Sequence, residues 1–285
     1  MLMCYDCHKK IDQKGSEDRY PADLLISWKM QHEQRIEILT GIDPDRKSNV
    51  VLYGANIGTE RSPINYHGCV EAMFPNWYPA TEKPVTLSMV SELKDHSEQY
   101  WQAESQHLTK RFQSKISSII EEDSCKHFSL FALAPQPLLI KLGALLTDKI
   151  DVETYQLHRE PKGWFWQDCS DDFEYIINRP QNMEGKPALV LSLSDHVSHE
   201  RITRVIGPDT SIWEVTIKQP HNDFMQSKQQ LSLFRKCIRK LIVEIKNTHG
   251  DATPLQIFPV MPVSCAVELG RARMPKADMP WLIYD

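Results

Sequence analysis

LFALAPQPLLIKLGALL (residues 130–146) and IFPVMPVSCAVELGRAR (residues 257–273) align without a gap. Phe131 falls on Phe258, Pro135 on Pro262, and Leu142-Gly143 on Leu269-Gly270, at a constant offset of 258 − 131 = 127 residues. Moving upstream by the same offset brings VTLSMVS (85–91) onto IWEVTIK (212–218). Each short apolar run is bounded by proline or polar residues, as strands are. Between them lie 97–122 and 222–248, where LTKRFQSKISSII and LFRKCIRKLIVEI carry apolar residues at helical spacing. The chain therefore holds two copies of one strand–helix–strand–helix–strand unit.

The flanking segments extend the same plan. NVVLYGANIG (49–58) opens the first copy and DVETYQLH (151–158) closes it; PALVLSLSDH (187–196) and PWLIYD (280–285) do the same for the second. Nearly continuous apolar strands alternating with helices imply parallel sheets covered on both faces. Right-handed crossovers then make each copy Rossmann-like. The predicted fold class is α/β with two fused Rossmann-like units. The polar segment 159–186 is expected to join them. Residues 20–40 are expected to form a separate helix, with Pro21 in its first turn and Leu25, Trp28, Ile36 and Leu39 as an apolar stripe.

Composition narrows the function classes. The 285 residues carry a formal net charge of −5, so no broad basic surface for nucleic acid is expected and any such contact must be local. The sequence has no apolar run of about 18 residues, which argues against a membrane span. The first ten residues turn polar too soon for a secretory signal. Seven scattered cysteines suit a reducing cytoplasm better than a disulfide framework. Cys69, Cys125, Cys169, Cys237 and Cys265 show no metal spacing and read as small apolar fillers.

In open parallel sheets a ligand sits beyond the carboxyl ends of the strands, near helix N-termini. Those ends read NIGTERSP (56–63), APQP (134–137), SDHVSHE (194–200) and MPVS (261–264). None is G-x-G-x-x-G and none is a Walker loop, which argues against a dinucleotide cofactor. Pro135 and Pro262 mark the strand-to-helix turns. Two such edges side by side would suit a ligand with several phosphates and bases. Asn56, Arg61, Gln136, Ser194, His196 and Ser264 lie on these edges and are candidate contacts, as is Lys276. Tyr155, Gln156 and Arg159 offer hydrogen bonds and a phosphate contact from the neighbouring strand, or else form a solvated rim. Trp164 and Trp166, at alternate positions, face one side of a strand; they either stack on a nucleobase or pack over a helix. Asp195, His196 and His199 could act on a bound phosphodiester, giving the alternative of a ring nuclease or nucleotide phosphodiesterase. Ser264 lacks the G-x-S-x-G elbow of a serine hydrolase.

HFSLFALAPQPLLIKLGALL, VETYQLHR, GWFWQ and CAVELGRARMPKADMPWLIYD resemble SAVED domains over about 49–285. These are the cyclic-oligonucleotide sensors of bacterial CBASS antiphage defence, built from two fused CARF-like Rossmann units. The resemblance implies a cyclic di- or trinucleotide ligand, self-association on binding, and no cofactor for the sensor. It divides the chain into 46–167 and 168–285 as the CARF-like halves. CYDCHKKID (4–12) with the helix after it, residues 1–45, looks like the carboxyl end of the HNH nuclease module fused to SAVED in one branch of these effectors. By that resemblance Cys4 and Cys7 are zinc ligands and His8 binds the catalytic metal, with zinc, magnesium and double-stranded DNA belonging to a complete module. Two thiolates cannot close a tetrahedral zinc site within one chain. The expectation is that this polypeptide by itself does not cut DNA.

Overall fold

The computed structural model describes residues 5–43, 45–57, 64–89, 95, 97–122, 125–167 and 173–285, excluding the side chains of residues 38 and 39. The chain divides into two compact units, residues 1–46 with 74–78, and residues 47–73 with 79–285.

The smaller unit holds helices α1 (Tyr5–Ile11) and α2 (Ala22–Thr40). Pro21 is the N-cap of α2 (φ −61°, ψ 153°), one position ahead of the turn expected for it. Its fixed φ suits an extended residue before the helix equally well. The edge of Trp28 meets Tyr20 with ring centroids 6.3 Å apart. Trp28 and Ile36 of the expected stripe stay exposed, and the Leu39 side chain lies outside the described residues. Arg46 sits over the Trp77 ring, 5.0 Å from its centroid.

The larger unit carries the repeat. Its first half runs β1 (Lys47–Gly54), α3 (Tyr66–Met73), β2 (Tyr78–Pro79, starting at the unit boundary), β3 (Val85–Thr86) and α4 (Glu98–Arg111). A π-helical stretch Phe112–Ser117 follows, then α5 (Ser118–Glu122), β4 (Phe128–Leu133), α6 (Gln136–Leu146) and β5 (Val152–Thr154). A small hairpin, β6 (His158–Arg159) with β7 (Lys162–Gly163), leads to β8 (Ile176–Asn178). The second half is β9 (Lys186–Ser192), α7 (His199–Ile206), β10 (Thr210–Thr216), α8 (Lys228–His249), β11 (Leu255–Val260), α9 (Val263–Ala272) and β12 (Trp281–Ile283).

The first sheet has the order β2-β1-β4-β5, with β3 also paired to β1; the second has the order β12-β11-β9-β10-β8. Strands β3-β1-β4-β5 and β10-β9-β11-β12 thus correspond one for one, all parallel. The expected mixed α/β fold with two parallel sheets is present. β4 and β11 begin at Phe128 and Leu255, and α6 and α9 at Gln136 and Val263, each pair at the offset of the sequence repeat. One difference is β8, which pairs antiparallel with β10 and makes part of the polar joining segment a fifth strand. Another is β3, only two residues long where a full strand was expected.

The halves meet where α6 crosses α9. A Cβ on Gly143 would lie 1.9 Å from the Val267 carbonyl oxygen, and one on Gly270 would lie 1.9 Å from that of Ile140. Val267 and Ile140 are themselves repeat equivalents, so the crossing is a pseudo-twofold contact. Glycine on both sides lets two backbones touch where any side chain would hold them apart. The core is continuous across this crossing, from Tyr53, Phe128 and Leu139 to Leu189, Trp213 and Phe234. A buried polar link reinforces it. Glu268 accepts from Thr154 Oγ1 at 2.8 Å and Arg271 Nη1 at 3.0 Å, while Arg271 also donates to the carbonyls of Thr147 and Ile150.

One buried carboxyl is not supported in this way. Glu104 on α4 is 1 % exposed, and neither of its oxygens has a hydrogen-bond partner among the described residues. Burial raises its pKa above the ordinary carboxyl value. The folded state therefore holds this proton more tightly than the unfolded chain, and the site costs stability as pH rises above the unfolded carboxyl pKa. Glu104→Gln is expected to stabilise the protein by about 1 kcal/mol or more at pH 8 and by less at pH 4.5, since it removes an unpaired buried charge. Urea unfolding at the two pH values checks this; an equal or opposite effect contradicts it.

Candidate functional site

The carboxyl ends of β4, β9 and β11, together with the chain leaving β5, surround a cavity of about 380 Å³. Its wall is formed by Leu133, Gln156–Arg159, Lys162, Ser194, Asn222, Asp223 and Met261–Val263. Both halves therefore contribute, as expected where the edges of two parallel sheets face one pocket.

The two helix N-termini at the crossing are tied across it. Pro135 and Pro262 are the N-caps of α6 and α9, with extended ψ of 145° and 152°. Gln136, first in α6, donates from Nε2 to the Met261 carbonyl at 2.7 Å. Ser264 of α9 donates its hydroxyl to Gln156 Oε1 at 2.7 Å and its backbone N–H to the same oxygen at 3.2 Å. Gln156 is held further by its own Nε2 donating to the Leu157 carbonyl at 2.9 Å. These bonds fix the floor between the halves without using a charged group.

The charged rim comes from the β6–β7 hairpin, which places Arg159 opposite Lys162. The hairpin is anchored from the second half. Asp223 accepts the backbone N–H of Arg159 at 3.1 Å and of Glu160 at 3.0 Å. The carboxylate thus spends its acceptors on the main chain, leaving the two exposed cations at the cavity mouth. An anion meeting this rim would find two cationic donors on a short, braced turn.

The expected contacts divide clearly by position. Gln156, Arg159 and Ser194 line the cavity, and Gln136 and Ser264 bond to residues that do. Tyr155 is buried and stacks on Phe131 with centroids 4.3 Å apart; Trp164 meets the same ring edge-on at 5.3 Å. Trp164 is therefore packed into the core, against a strand residue rather than over a helix. Trp164 and Trp166 do not share a strand face, because β7 ends at Gly163, and the residues after it form no strand. Trp166 is partly buried against the core beside His158.

Asn56 lies at the end of β1, where its carbonyl accepts from Tyr100 Oη at 2.7 Å. Lys276 is exposed in the turn after α9, at the far end of that helix from the cavity. His196 is exposed, with its N–H on Asp195 Oδ1, while His199 faces Glu214 at 3.7 Å. Neither imidazole joins the cavity wall, so the pair does not converge on a ligand there. Arg61, Cys4 and Cys169 lie outside the described residues.

His8 pairs with Asp12 at 2.8 Å along exposed α1, the same helix that carries Cys7. Among the described residues no three His, Cys, Asp or Glu side chains gather as a metal ion would require. No helix among them is long and apolar enough to cross a membrane. Cys69 and Cys265 are fully buried, and burial raises both thiols, Cys69 to about 12. These two are apolar fillers, as expected.

Sequence reasoning missed His158, Lys162, Asn222 and Asp223. For the last two a signal existed. Ser227 and Gln230 form a capping box that starts α8 at Lys228, so 222–227 is a loop rather than the helix start assigned to it.

Two Rossmann-like halves, each built on a parallel sheet and sharing one cleft, define a duplicated α/β fold. The chain belongs to the SAVED family, described as the SMODS-associated and fused to various effectors sensor domain, whose profile matches residues 108–285. Among solved structures it is similar to the Acinetobacter baumannii Cap4 SAVED/CARF-domain containing receptor with the cyclic trinucleotide 2'3'3'-cAAA, at TM-score 0.51 and 12% identity, over 91% of this chain and 52% of that one. The same receptor with 3'3'3'-cAAA matches at TM-score 0.51 and 14% identity, over 86% and 49%. The chain thus spans about half the length of these receptors, and at such identity the likeness is one of fold. No curated protein sequence matches it.

Proposed function

We propose that this chain is the cyclic-oligonucleotide sensor of a CBASS antiphage effector, binding a cyclic di- or trinucleotide in the cleft between its two halves. The observation that carries this reading is the cavity at the strand ends, with the Arg159–Lys162 rim above an amide and hydroxyl floor. Phosphodiesters would bind the two cations, and the bases would lie against Gln156, Ser194 and Met261. The cyclic trinucleotides present in the similar Cap4 receptors support that ligand class.

In the parent effector, residues 1–45 would close an HNH module, with Cys4 and Cys7 on structural zinc and His8 at the catalytic magnesium. Ligand binding would drive the SAVED domains to self-associate, bringing such modules together on double-stranded DNA. No cofactor is needed for sensing itself. A panel of cyclic di- and trinucleotides tested by thermal unfolding addresses the sensing step. A ligand that binds only the folded protein at 100 times its Kd adds about 2.7 kcal/mol, so at least one cyclic compound should raise the Tm by several degrees while its linear counterpart does not. Equal response to cyclic and linear compounds, or none to any, overturns the reading.

A further inference from the structure

Among the described residues His158 is the one histidine in the cavity wall, and its environment is unusual. The residue is 2 % exposed, and neither Nδ1 nor Nε2 has a hydrogen-bond partner among the described residues. A buried polar group left without a partner costs stability, so its retention asks for an explanation. The indole of Trp166 packs against the imidazole edge-on, with centroids 6.1 Å apart, and its Nε1 is likewise without a partner among the described residues.

The surrounding charges are few. Arg159 follows His158 on β6, Lys162 lies on the facing β7, and Glu160 sits in the turn. From the loop before α8 comes Asp223, its carboxylate taken by two backbone N–H groups, with exposed His221 two residues upstream. The α9 side contributes Val263 and no charge to the wall.

We infer that His158 is a proton-coupled ligand contact: it is neutral in the empty cleft and becomes an imidazolium when a phosphodiester anion is bound there. The inference rests on the proposed sensing of cyclic oligonucleotides. In the empty protein burial lowers the pKa of His158, which outweighs the upward pull of Asp223. A bound phosphodiester reverses that balance by supplying negative charge and an acceptor for a ring N–H. Binding then takes up a proton, and affinity rises as pH falls through the window between the free and bound pKa values.

The test is isothermal titration calorimetry of the whole chain with 3'3'3'-cAAA and 2'3'3'-cAAA, the probes named for the similar receptors. Runs at pH 7 in buffers of different ionisation enthalpy should give an uptake of roughly half to one proton per ligand, with Kd about tenfold tighter at pH 6 than at pH 8. His158→Gln should abolish both effects, while His221→Gln leaves them. Binding without proton uptake, or uptake unchanged in His158→Gln, overturns the inference and leaves the sensing proposal standing. Absence of binding at every pH overturns both.

Discussion

Alanine at Gly143 or at Gly270 is expected to destabilise the protein by about 3 kcal/mol, the upper part of the range for overpacked sites. The sign is informative because glycine to alanine inside a helix ordinarily stabilises it by about 1 kcal/mol. Here the new Cβ would meet a backbone oxygen of the other helix at 1.9 Å, and a backbone cannot rotate aside as a side chain can. The two helices must separate, opening the core that both halves share. Once one alanine has pushed them apart, the second meets less resistance, so the double variant should cost less than the sum of the two. Gly68→Ala in α3, where an added Cβ meets nothing within 4 Å, is the control and should be neutral or stabilising. Urea unfolding midpoints measure all four. Neutral effects at Gly143 and Gly270 would remove the close crossing from the account.

The second large effect concerns the rim. Arg159→Ala and Lys162→Ala should each weaken cyclic oligonucleotide binding by about 10- to 100-fold, the loss of one charge-assisted hydrogen bond of about 1.5–3 kcal/mol. Asp223→Ala should weaken it as well by freeing the hairpin that carries both cations, although the change removes a negative charge from the cavity wall. Electrostatics alone would make that variant bind more tightly. Lys276→Ala, at the far end of α9, should leave affinity unchanged. Equilibrium binding at fixed ionic strength checks the set, since screening changes such contacts. Tighter binding by Asp223→Ala would show that bulk charge, rather than hairpin position, governs the site.

The two sheets were legible because their strands announce themselves twice. β4 and β11 are mostly apolar, are followed two residues later by a proline, and lead into helices with Leu-Gly at the same offset. Pattern and repetition there report the same physical fact, burial on both faces. The repeat marked the strands and their carboxyl ends but not their order in the sheets; Gln156, Arg159 and Ser194, read as candidates at those ends and the neighbouring strand, line one cavity. Features that depend on tertiary contact were harder to see. β8 has only three residues, Ile176–Asn178, and its partner, β10, lies more than thirty residues away, so no local alternation marks it. GWFWQ has the spacing of a strand face but follows a hairpin, and Phe131 and Tyr155 draw Trp164 into the core. Asp223 was missed for another reason: the capping box marks the loop that carries it, but not what its side chain does there. Its role is to hold the main chain of residues 159 and 160, and a carboxylate bound to backbone leaves no trace in residue type.

The glycine pair shows both sides of this. Leu142-Gly143 and Leu269-Gly270 helped to reveal the repeat, yet only the crossing explains why glycine stands at both places. One contact thus joins duplication, the pairing of the halves and the cleft that opens at the helix N-termini above it.

A crystal structure of the chain soaked with 3'3'3'-cAAA tests the central claim most directly. The account predicts the ring seated in the cleft, with phosphate oxygens within hydrogen-bond distance of Arg159 and Lys162 and the ligand in contact with both Gln156 and Met261. A ligand bound to one half alone, or among Arg235, Arg239 and Arg271 in the cavity beside α8 and α9, would contradict it.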